Sequence, residues 1–315
     1  MNTVNVALIQ QRIAADYQSN LEASLEQIAD AACKGARLIV LCELHTSLYF
    51  CQEESARYFE LAENIPGPIT DQLSEAAKRH QVTIVGSVFE RRTRGLYHNT
   101  AVVLDQDGSL AGRYRKMHIP DGPGYHEKYY FTAGDLGFCP IETSIGNLGL
   151  MVCWDQWFPE AARLMALGGA DILIYPSAIG WDPADPDEEK QRQLQAWLTI
   201  QQSHAISNNL PVICTNRVGY EQDCSGTGRG IDFWGQSFVT DAFGKITAQG
   251  LCDAAQTVHA TIDLDETDHS RQVWPYLRDR RIDAYGDLGK RFVDESADSM
   301  SERAKPSKES RKTGG

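Results

Sequence analysis

Residues 37–41 (RLIVL) form a short, almost uninterrupted apolar run, and this run is the feature that most constrains the fold. A strand with one solvated face alternates apolar and polar residues, whereas a continuous apolar run is typical of a strand covered on both faces. Residues 82–89 (VTIVGSVF) show a similar pattern. Strands covered on both faces need further layers around them, so we predict a multilayered α/β fold.

Amphipathic and apolar segments alternate along the chain, which favours helices linking buried strands. The helix at residues 20–34 carries Leu21, Leu25, Ile28 and Ala32 on one face, and Ser19 is its predicted N-cap. Further helices are predicted at residues 70–80, 159–167 and 188–208. Further strands are predicted at residues 4–9, 100–104, 110–113, 148–152, 171–175, 211–215, 235–240, 245–248 and 257–262, with a DG turn at 107–108 between two of them. Hairpins mixed with helix-linked strands predict a sheet sandwich with helices on both outer faces.

The sequence predicts one domain over residues 1–292. The segment 293–315 is rich in Ser, Lys, Glu and Gly and is almost free of large apolar side chains. Such a composition cannot bury enough apolar surface to offset the entropy of ordering, so we predict a disordered C-terminal tail.

Charge and composition exclude several classes of protein. The formal net charge of the 315 residues is −13, which argues against a nucleic-acid partner, because phosphate binding needs a basic face. No apolar stretch reaches the roughly 18 residues of a membrane helix. Residues 1–11 have the pattern of a first strand and lack a basic leader, so we expect a cytoplasmic protein. The eight cysteines show no CxxC pair and no metal-ligand spacing, so no metal site is predicted.

Three reactive side chains each stand where a predicted strand ends. Glu43 follows the apolar run in LIVLCE, Lys116 follows a strand in GRYRKMHIP, and Cys153 lies between a strand and a helix in GLMVCWDQWFPE. Taken singly, each has an ordinary explanation: a solvated acid, a solvated basic turn and a buried core cysteine. Together they supply a base, an electrostatic stabiliser and a nucleophile at strand ends, where open sheets place their sites.

These motifs resemble the nitrilase superfamily, the carbon–nitrogen hydrolases, whose triad is Glu–Lys–Cys. The resemblance runs from about residue 4 to residue 291 and covers Glu43, Lys116 and Cys153 in the family's order. It implies a four-layer α-β-β-α sandwich, a covalent intermediate on Cys153, and neither a metal nor an organic cofactor. Glu127, in GYHEKYYFTAGD, matches a second glutamate of the family, whose implied role is to orient Lys116 and the attacking water.

The resemblance also bears on assembly. It implies a homodimer or a larger homo-oligomer, whereas charge and hydropathy predict no nucleic-acid partner and no membrane. Residues 274–285 (WPYLRDRRIDAY) are similar to an extended arm that crosses to a partner subunit in such enzymes.

Within the superfamily, residues 116–138, 153–181 and 277–285 are most similar to enzymes that hydrolyse the cationic ureide N-carbamoylputrescine to putrescine, carbon dioxide and ammonia. A cationic end needs a carboxylate in the pocket, and Asp121 is the first candidate, with Asp155 and Asp182 as alternatives; each is also explained as a solvated acid. Possible walls for the methylene part of the substrate are Tyr49, Trp154 and Trp181. One departure from the family is His45, which stands where an aromatic or apolar residue is expected.

Other functions stay open from the sequence. A β-ureidopropionase, an N-carbamoyl-amino-acid hydrolase or another amidase of the superfamily would share the triad. An anionic substrate would favour an arginine in the pocket, and the sequence does not place Arg163, Arg217 or Arg229 there or elsewhere. A non-catalytic binding protein is expected to have lost part of the triad, and here all three residues are present.

Overall fold

The computed structural model describes residues 2–223, 225–226 and 228–293; of the predicted tail, all but Val293 lies outside them. Residues up to Tyr276 form one compact unit. Its strands are β1 (Thr3–Gln10), β2 (Leu38–Leu41), β3 (Thr83–Thr93), β4 (Leu96–Leu104), β5 (Leu110–Arg115), β6 (Ile141–Thr143), β7 (Gly146–Leu150), β8 (Ile172–Ser177), β9 (Gly180–Trp181), β10 (Val212–Asn216), β11 (Val218–Glu221), β12 (Ile231–Trp234), β13 (Phe238–Thr240), β14 (Ile246–Gln249) and β15 (Gln256–Asp263). Its helices are α1 (Tyr17–Cys33), α2 (Pro68–His80), α3 (Glu127–Tyr130), α4 (Pro159–Leu167), α5 (Asp187–Asn208) and α6 (Leu264–Val273).

Two sheets of six strands each form the centre of the described part of this unit. The first has the order β15-β1-β2-β3-β4-β5 and the second the order β14-β13-β10-β8-β7-β6. Strands β1, β2 and β3 run parallel, as do β7, β8 and β10, while the outer pairs are antiparallel. Strand β15 pairs antiparallel with β1 over its whole length, from Thr3 opposite Asp263 to Gln10 opposite Gln256. The carboxyl ends of the central strands therefore lie at one edge of each sheet.

The side chains of the buried strands alternate between two cores, as the two-residue period of a strand requires. In β2, Leu38 and Val40 face the core shared with the second sheet, whereas Ile39 and Leu41 face the core beneath the helices. That outer core contains Ile28 of α1 and Leu73 of α2. On the opposite side, α4 and α5 pack against the second sheet. The predicted four-layer α-β-β-α sandwich is thus confirmed.

Several boundaries differ from the sequence prediction for local reasons. Ser19 is not the N-cap of α1: the helix begins at Tyr17, three residues before the predicted start, and the carboxylate of the N-cap Asp16 accepts the Ser19 N–H at 2.7 Å. Strand β13 begins at Phe238 and not at residue 235, because Gly235 and Gln236 have φ of 58° and 56°, which no strand residue adopts. The small sheet β11-β12-β9 and helix α6 were not predicted.

The described residues that follow Tyr276 belong to a second unit. Two short 3-10 turns lie in it, at Ile282–Ala284 and Gly286–Gly289. The apolar side chains of Ile282 and Phe292 are both 75% exposed. In the described part of either unit, no helix combines the length and apolar character that crossing a membrane requires.

Candidate active site

The ends of the two sheets meet where the three reactive residues lie. Glu43 stands two residues beyond β2, and its backbone N–H points to the carbonyl of Ser177, the last residue of β8, at 3.4 Å. Lys116 directly follows β5, and its N–H donates to the Asn99 carbonyl of β4 at 2.9 Å. The sulfur of Cys153 lies 3.9 Å from the carbonyl oxygen of Ala178, just after β8. Strand ends from both sheets thus bring the predicted triad to one place.

Lys116 lies between two carboxylates in a fully buried cluster. Its Nζ donates to Oε1 of Glu43 at 2.8 Å and to Oε1 and Oε2 of Glu127 at 2.9 and 2.7 Å. All three side chains have no exposed surface. An ammonium has three N–H groups, and here three carboxylate contacts match them. The second glutamate predicted from the resemblance therefore lies directly against the lysine.

Burial and charge act in opposite directions on this cluster. Burial alone would lower the pKa of Lys116, but the carboxylates of Glu127 and Glu43 raise it well above its usual value, so the lysine stays cationic. Burial raises the pKa of Glu127 to about 7, although the Lys116 ammonium pulls it downward. The Glu127 carboxyl is therefore a weaker acid than an exposed glutamate.

Glu43 has one oxygen engaged and one available. Its Oε1 accepts from Lys116 and also from the side-chain amide of Asn99 at 2.6 Å. Its Oε2 is buried and has no hydrogen-bond partner among the described residues. A buried carboxylate oxygen without a donor is costly, and such atoms are concentrated at functional sites. This oxygen can accept a proton from a neighbouring group.

Cys153 occupies a tight turn between β7 and α4. Its φ is 43°, in the left-handed region that a residue with a side chain avoids at a cost of about 1–3 kcal/mol. The carboxylate of Asp155 helps to hold this turn by accepting the Val152 N–H at 2.9 Å. Burial, and then the Glu43 charge, raise the pKa of the Cys153 thiol well above its usual value. The resting group is therefore a thiol, and its attack requires a base.

A cavity of about 460 Å³ opens onto Cys153. Its walls are mostly apolar and include Trp154, Tyr125 and Trp234. Charged side chains stand among the lining residues as well, namely Asp121 and Arg192. Of the predicted substrate contacts, the structure brings Asp121 and Trp154 to the same cavity as Cys153.

The other predicted contacts lie elsewhere. Tyr49 is almost fully buried outside the cavity lining, and its hydroxyl donates to Oε1 of Glu127 at 2.7 Å, so it supports the cluster and does not form a wall. Trp181 lines a neighbouring cavity together with Asp182, and its ring packs on Trp234 at 5.3 Å. Asp155 is fully buried in the turn at Cys153 and is not available to a substrate.

His45, the departure noted in the sequence, is a fully buried residue and not part of the pocket wall. Its Nδ1 lies 3.0 Å from the Ser24 hydroxyl of α1. Burial, with the nearby Arg217 charge, lowers its pKa to about 3, so the ring is neutral. In the described residues, no three His, Cys, Asp or Glu side chains are grouped so that they could hold a metal ion.

Sequence reasoning missed Asn99, Tyr125 and Arg192. Asn99 lies in the middle of β4, where a polar residue facing a buried carboxylate looks like any polar position of a strand. Tyr125 stands in the loop before α3, two residues before Glu127, and nothing in the sequence distinguishes it from a packing aromatic residue. Arg192 belongs to the charged start of α5, which has the composition of a solvated helix face.

Comparison with known proteins gives concordant matches over most of the chain. Residues 5–272 match the family described as carbon-nitrogen hydrolase. A citrullinase from Francisella tularensis subsp. tularensis is 39% identical over 293 residues, which are 93% of this chain and 100% of that protein. An N-carbamoylputrescine amidase from Solanum lycopersicum is 39% identical over 284 residues, 90% of this chain and 93% of that protein. The crystal structure of a carbon-nitrogen hydrolase from Helicobacter pylori G27 matches with a TM-score of 0.90 and 51% identity, covering 92% of this chain and 100% of that one.

Proposed function

The chain belongs to the carbon–nitrogen hydrolase family of the nitrilase superfamily and is an enzyme that hydrolyses carbon–nitrogen bonds, and we propose that it cleaves a terminal ureide at Cys153. The proposed substrate is N-carbamoylputrescine. The observation that carries the proposal is the buried cluster of Glu43, Lys116 and Glu127 beside a cysteine at the floor of an apolar cavity. The cluster supplies the base and the cation, and the cavity accepts a short aliphatic chain.

The first half of the reaction forms a covalent intermediate. The Cys153 thiol gives its proton to Oε2 of Glu43, which accepts no hydrogen bond from the described residues, and the sulfur attacks the ureide carbon. The negative charge that develops on the ureide oxygen is stabilised by Lys116 and by the backbone N–H of Trp154. Glu43 then returns the proton to the departing nitrogen, and ammonia leaves an S-carbamoyl group on Cys153.

The second half releases the product. Glu43 removes a proton from a water molecule that Glu127 helps to orient, and the hydroxide breaks the carbon–sulfur bond. The proton returns to the sulfur of Cys153, and the product is a carbamic acid. Carbamic acids lose carbon dioxide, so the net products are putrescine, carbon dioxide and ammonia.

The charged lining residues support a cationic substrate end. The carboxylate of Asp121 lies in the cavity lining and can pair with an ammonium. The guanidinium of Arg192, by contrast, already donates twice to Glu189, both times at 2.7 Å, so its charge is largely compensated. The tomato relative, named N-carbamoylputrescine amidase, supports the same substrate.

Citrulline is the second candidate, and one observation favours it. An acid and a base, Asp121 and Arg192, line the same cavity, and a zwitterionic amino-acid end would use both. The Francisella relative is named a citrullinase. Binding of citrulline would require Arg192 to turn from Glu189 toward the substrate.

Ammonia release from N-carbamoylputrescine, citrulline and N-carbamoyl-β-alanine distinguishes these substrates. We expect the highest kcat/KM for N-carbamoylputrescine and no turnover by Cys153→Ala. Asp121→Asn should raise the KM for N-carbamoylputrescine about fivefold to tenfold with little change in kcat, since it removes binding at a distance from the reacting carbon. Arg192→Gln is the matched control.

The outcome with Arg192→Gln separates the candidates. If this variant raises KM for citrulline and citrulline is the preferred substrate of the wild type, the second candidate replaces the first. A preference for N-carbamoyl-β-alanine would contradict both.

A further inference from the structure

A second buried ion pair lies behind the base, outside the cluster described above. Arg217 follows β10 directly and has no exposed surface, which is rare for an arginine unless its charge is paired. Its Nη1 pairs with Oε1 of Glu221, the last residue of β11, at 2.8 Å, and Glu221 is also buried. A charged pair in such a place either only stabilises the core or holds something else in position.

The guanidinium reaches across to the segment that begins with the base. Nη2 donates to the backbone carbonyl of Glu43 at 2.7 Å and to that of Leu44 at 3.0 Å, and Nη1 donates to that of Ser47 at 3.2 Å. Three carbonyls of one turn therefore converge on one side chain of the other sheet. The planar fork of an arginine makes this geometry, and a lysine ammonium does not reproduce it.

The segment held in this way has a strained backbone. Leu44 has a φ of 48°, in the left-handed region, although it carries a branched side chain. Its carbonyl is one of the three that accept from Arg217. Such a conformation persists only where its surroundings enforce it. Two buried side chains hold it here: Arg217 donates to the Leu44 carbonyl, and the Ser87 hydroxyl accepts the Leu44 N–H at 2.9 Å.

Glu221 extends the same support to the other carboxylate. Its Oε2 accepts the backbone N–H of Tyr49 at 2.6 Å, and the Tyr49 hydroxyl in turn donates to Oε1 of Glu127. The ion pair thus anchors both ends of the segment from Glu43 to Tyr49. One end carries the base, and the other holds the second glutamate.

We propose that Arg217 and Glu221 are positioning residues for the reaction, because together they fix Glu43 and, through Tyr49, Glu127 around the Lys116 ammonium. They touch neither the substrate cavity nor Cys153, so they act through other side chains. The inference rests on the proposed roles of Glu43, Glu127 and Cys153. It holds for any amide or ureide that these residues cleave.

The test compares variants that keep buried charge balanced. Arg217→Met combined with Glu221→Gln removes both charges, keeps an acceptor for Tyr49 and removes all three contacts to the carbonyls. Arg217→Lys keeps the charge but lacks the fork. Leu73→Ala, which opens a cavity in the core under α2, is the control for loss of stability alone.

Two readouts are measured on each purified protein. The first is kcat and KM on the best substrate. The second is the rate at which iodoacetamide alkylates Cys153, followed by peptide mass spectrometry over a range of pH; this needs no substrate. The fully buried Cys42 and Cys214 report in the same samples whether the fold is intact.

We expect the double variant to lose at least tenfold in kcat, with KM changed less than twofold. We also expect the pH midpoint of Cys153 alkylation to move by half a pH unit or more. Arg217→Lys should show a smaller change of the same kind, and Leu73→Ala should lower the melting temperature alone. A kcat within threefold of wild type, with an unmoved midpoint, would show a purely structural role and overturn the proposal. If Cys42 and Cys214 become reactive in the double variant, its fold is no longer intact. In that case Arg217→Lys is the deciding variant, and a kcat within threefold of wild type with an unmoved midpoint would again overturn the proposal.

The proposed function fails in a different way. If Cys153 of the wild-type protein is alkylated no faster than Cys42, Cys153 is not the nucleophile, whatever the variants do.

Discussion

At the scale of one residue, the N–H groups of Lys116 are matched in number by the carboxylate contacts around them. Its three N–H groups are all used by carboxylate oxygens, so none is left over for a substrate. To stabilise an oxyanion, the ammonium must share or release one of these contacts. The protonation state of its partners therefore decides how well it can act.

The contacts of Lys116 depend on pH through Glu127. Burial raises its pKa to about 7, so it takes up a proton as the pH falls through the neutral range. The protonated group can no longer accept two bonds from Lys116, and the lysine loses its fixed position. We expect kcat/KM to fall below about pH 7, with an acidic limb well above the usual pKa of a carboxyl group.

The control is Glu127→Gln, measured over the same pH range with the same substrate. We expect this variant to be much slower and to lack the limb near pH 7. An unchanged limb in the variant would assign the titration to another group.

At the scale of elements, Asp155 connects the turn that contains Cys153 with the segment that contains Lys116. Its Oδ2 accepts from the Val152 N–H and from the Tyr114 hydroxyl, both at 2.9 Å. Its Oδ1 accepts the His118 N–H at 3.0 Å and lies 2.7 Å from His118 Nδ1. A single carboxylate therefore fixes the distance between the two elements that carry Cys153 and Lys116.

Replacement of this carboxylate should affect stability and turnover together. We expect Asp155→Asn to lower the free energy of unfolding by roughly 1–3 kcal/mol, because the amide turns a donor toward groups that need an acceptor. We also expect kcat to fall about tenfold. Urea unfolding and initial rates measure the two effects.

Tyr114→Phe is the matched control, since it removes one bond to Asp155 and leaves the backbone contacts in place. Wild-type kcat in Asp155→Asn would contradict a role of this carboxylate in placing the nucleophile.

The elements also show where sequence reasoning succeeds and where it stops. The run at residues 37–41 predicted β2, since a strand covered on both faces has no polar positions. Glu43, Lys116 and Cys153 were singled out because strand ends and a family resemblance agreed.

The small sheet β11-β12-β9 was missed, because its short strands mix polar and apolar residues without a clear period. Arg217 was not placed, because a charged residue after a strand is ordinarily solvated, and only tertiary structure shows its carbonyl partners.

At the scale of the molecule, the fold was predictable because its layers repeat one pattern, whereas the predicted domain boundary stays a prediction. The predicted domain extends to residue 292, and the compact unit extends to Tyr276. Composition changes only after residue 293, whereas the end of the packed core is set by contacts that the sequence does not show. The predicted arm at residues 274–285 spans that boundary.

Removal of the second unit tests whether the compact unit that ends at Tyr276 folds without the residues that follow it. We expect a chain that ends at Tyr276 to unfold cooperatively near the wild-type melting temperature, because both sheets and helices α1 to α6 lie before that residue. We also expect fewer subunits per assembly in light scattering, since most of the predicted arm to a partner subunit would be lost. Calorimetry and light scattering on both chains provide the measurement.

A full-length chain with Ile282, Leu288 and Phe292 changed to Ser is the control, because it removes only exposed apolar contact area. A truncated chain that is unfolded, or that keeps the full assembly, would contradict this division.

The pairing of β1 with β15 has a consequence for how the protein is made. Strand β1 leaves the ribosome long before β15. Strand β2 can pair with β1 soon after both are synthesised, but the other neighbour of β1 is β15, which ends at Asp263. For most of translation the first strand of the chain therefore has one uncovered edge, and an uncovered edge is a template for wrong pairing. Protection of this edge by a holding chaperone during synthesis would favour the native closure over aggregation.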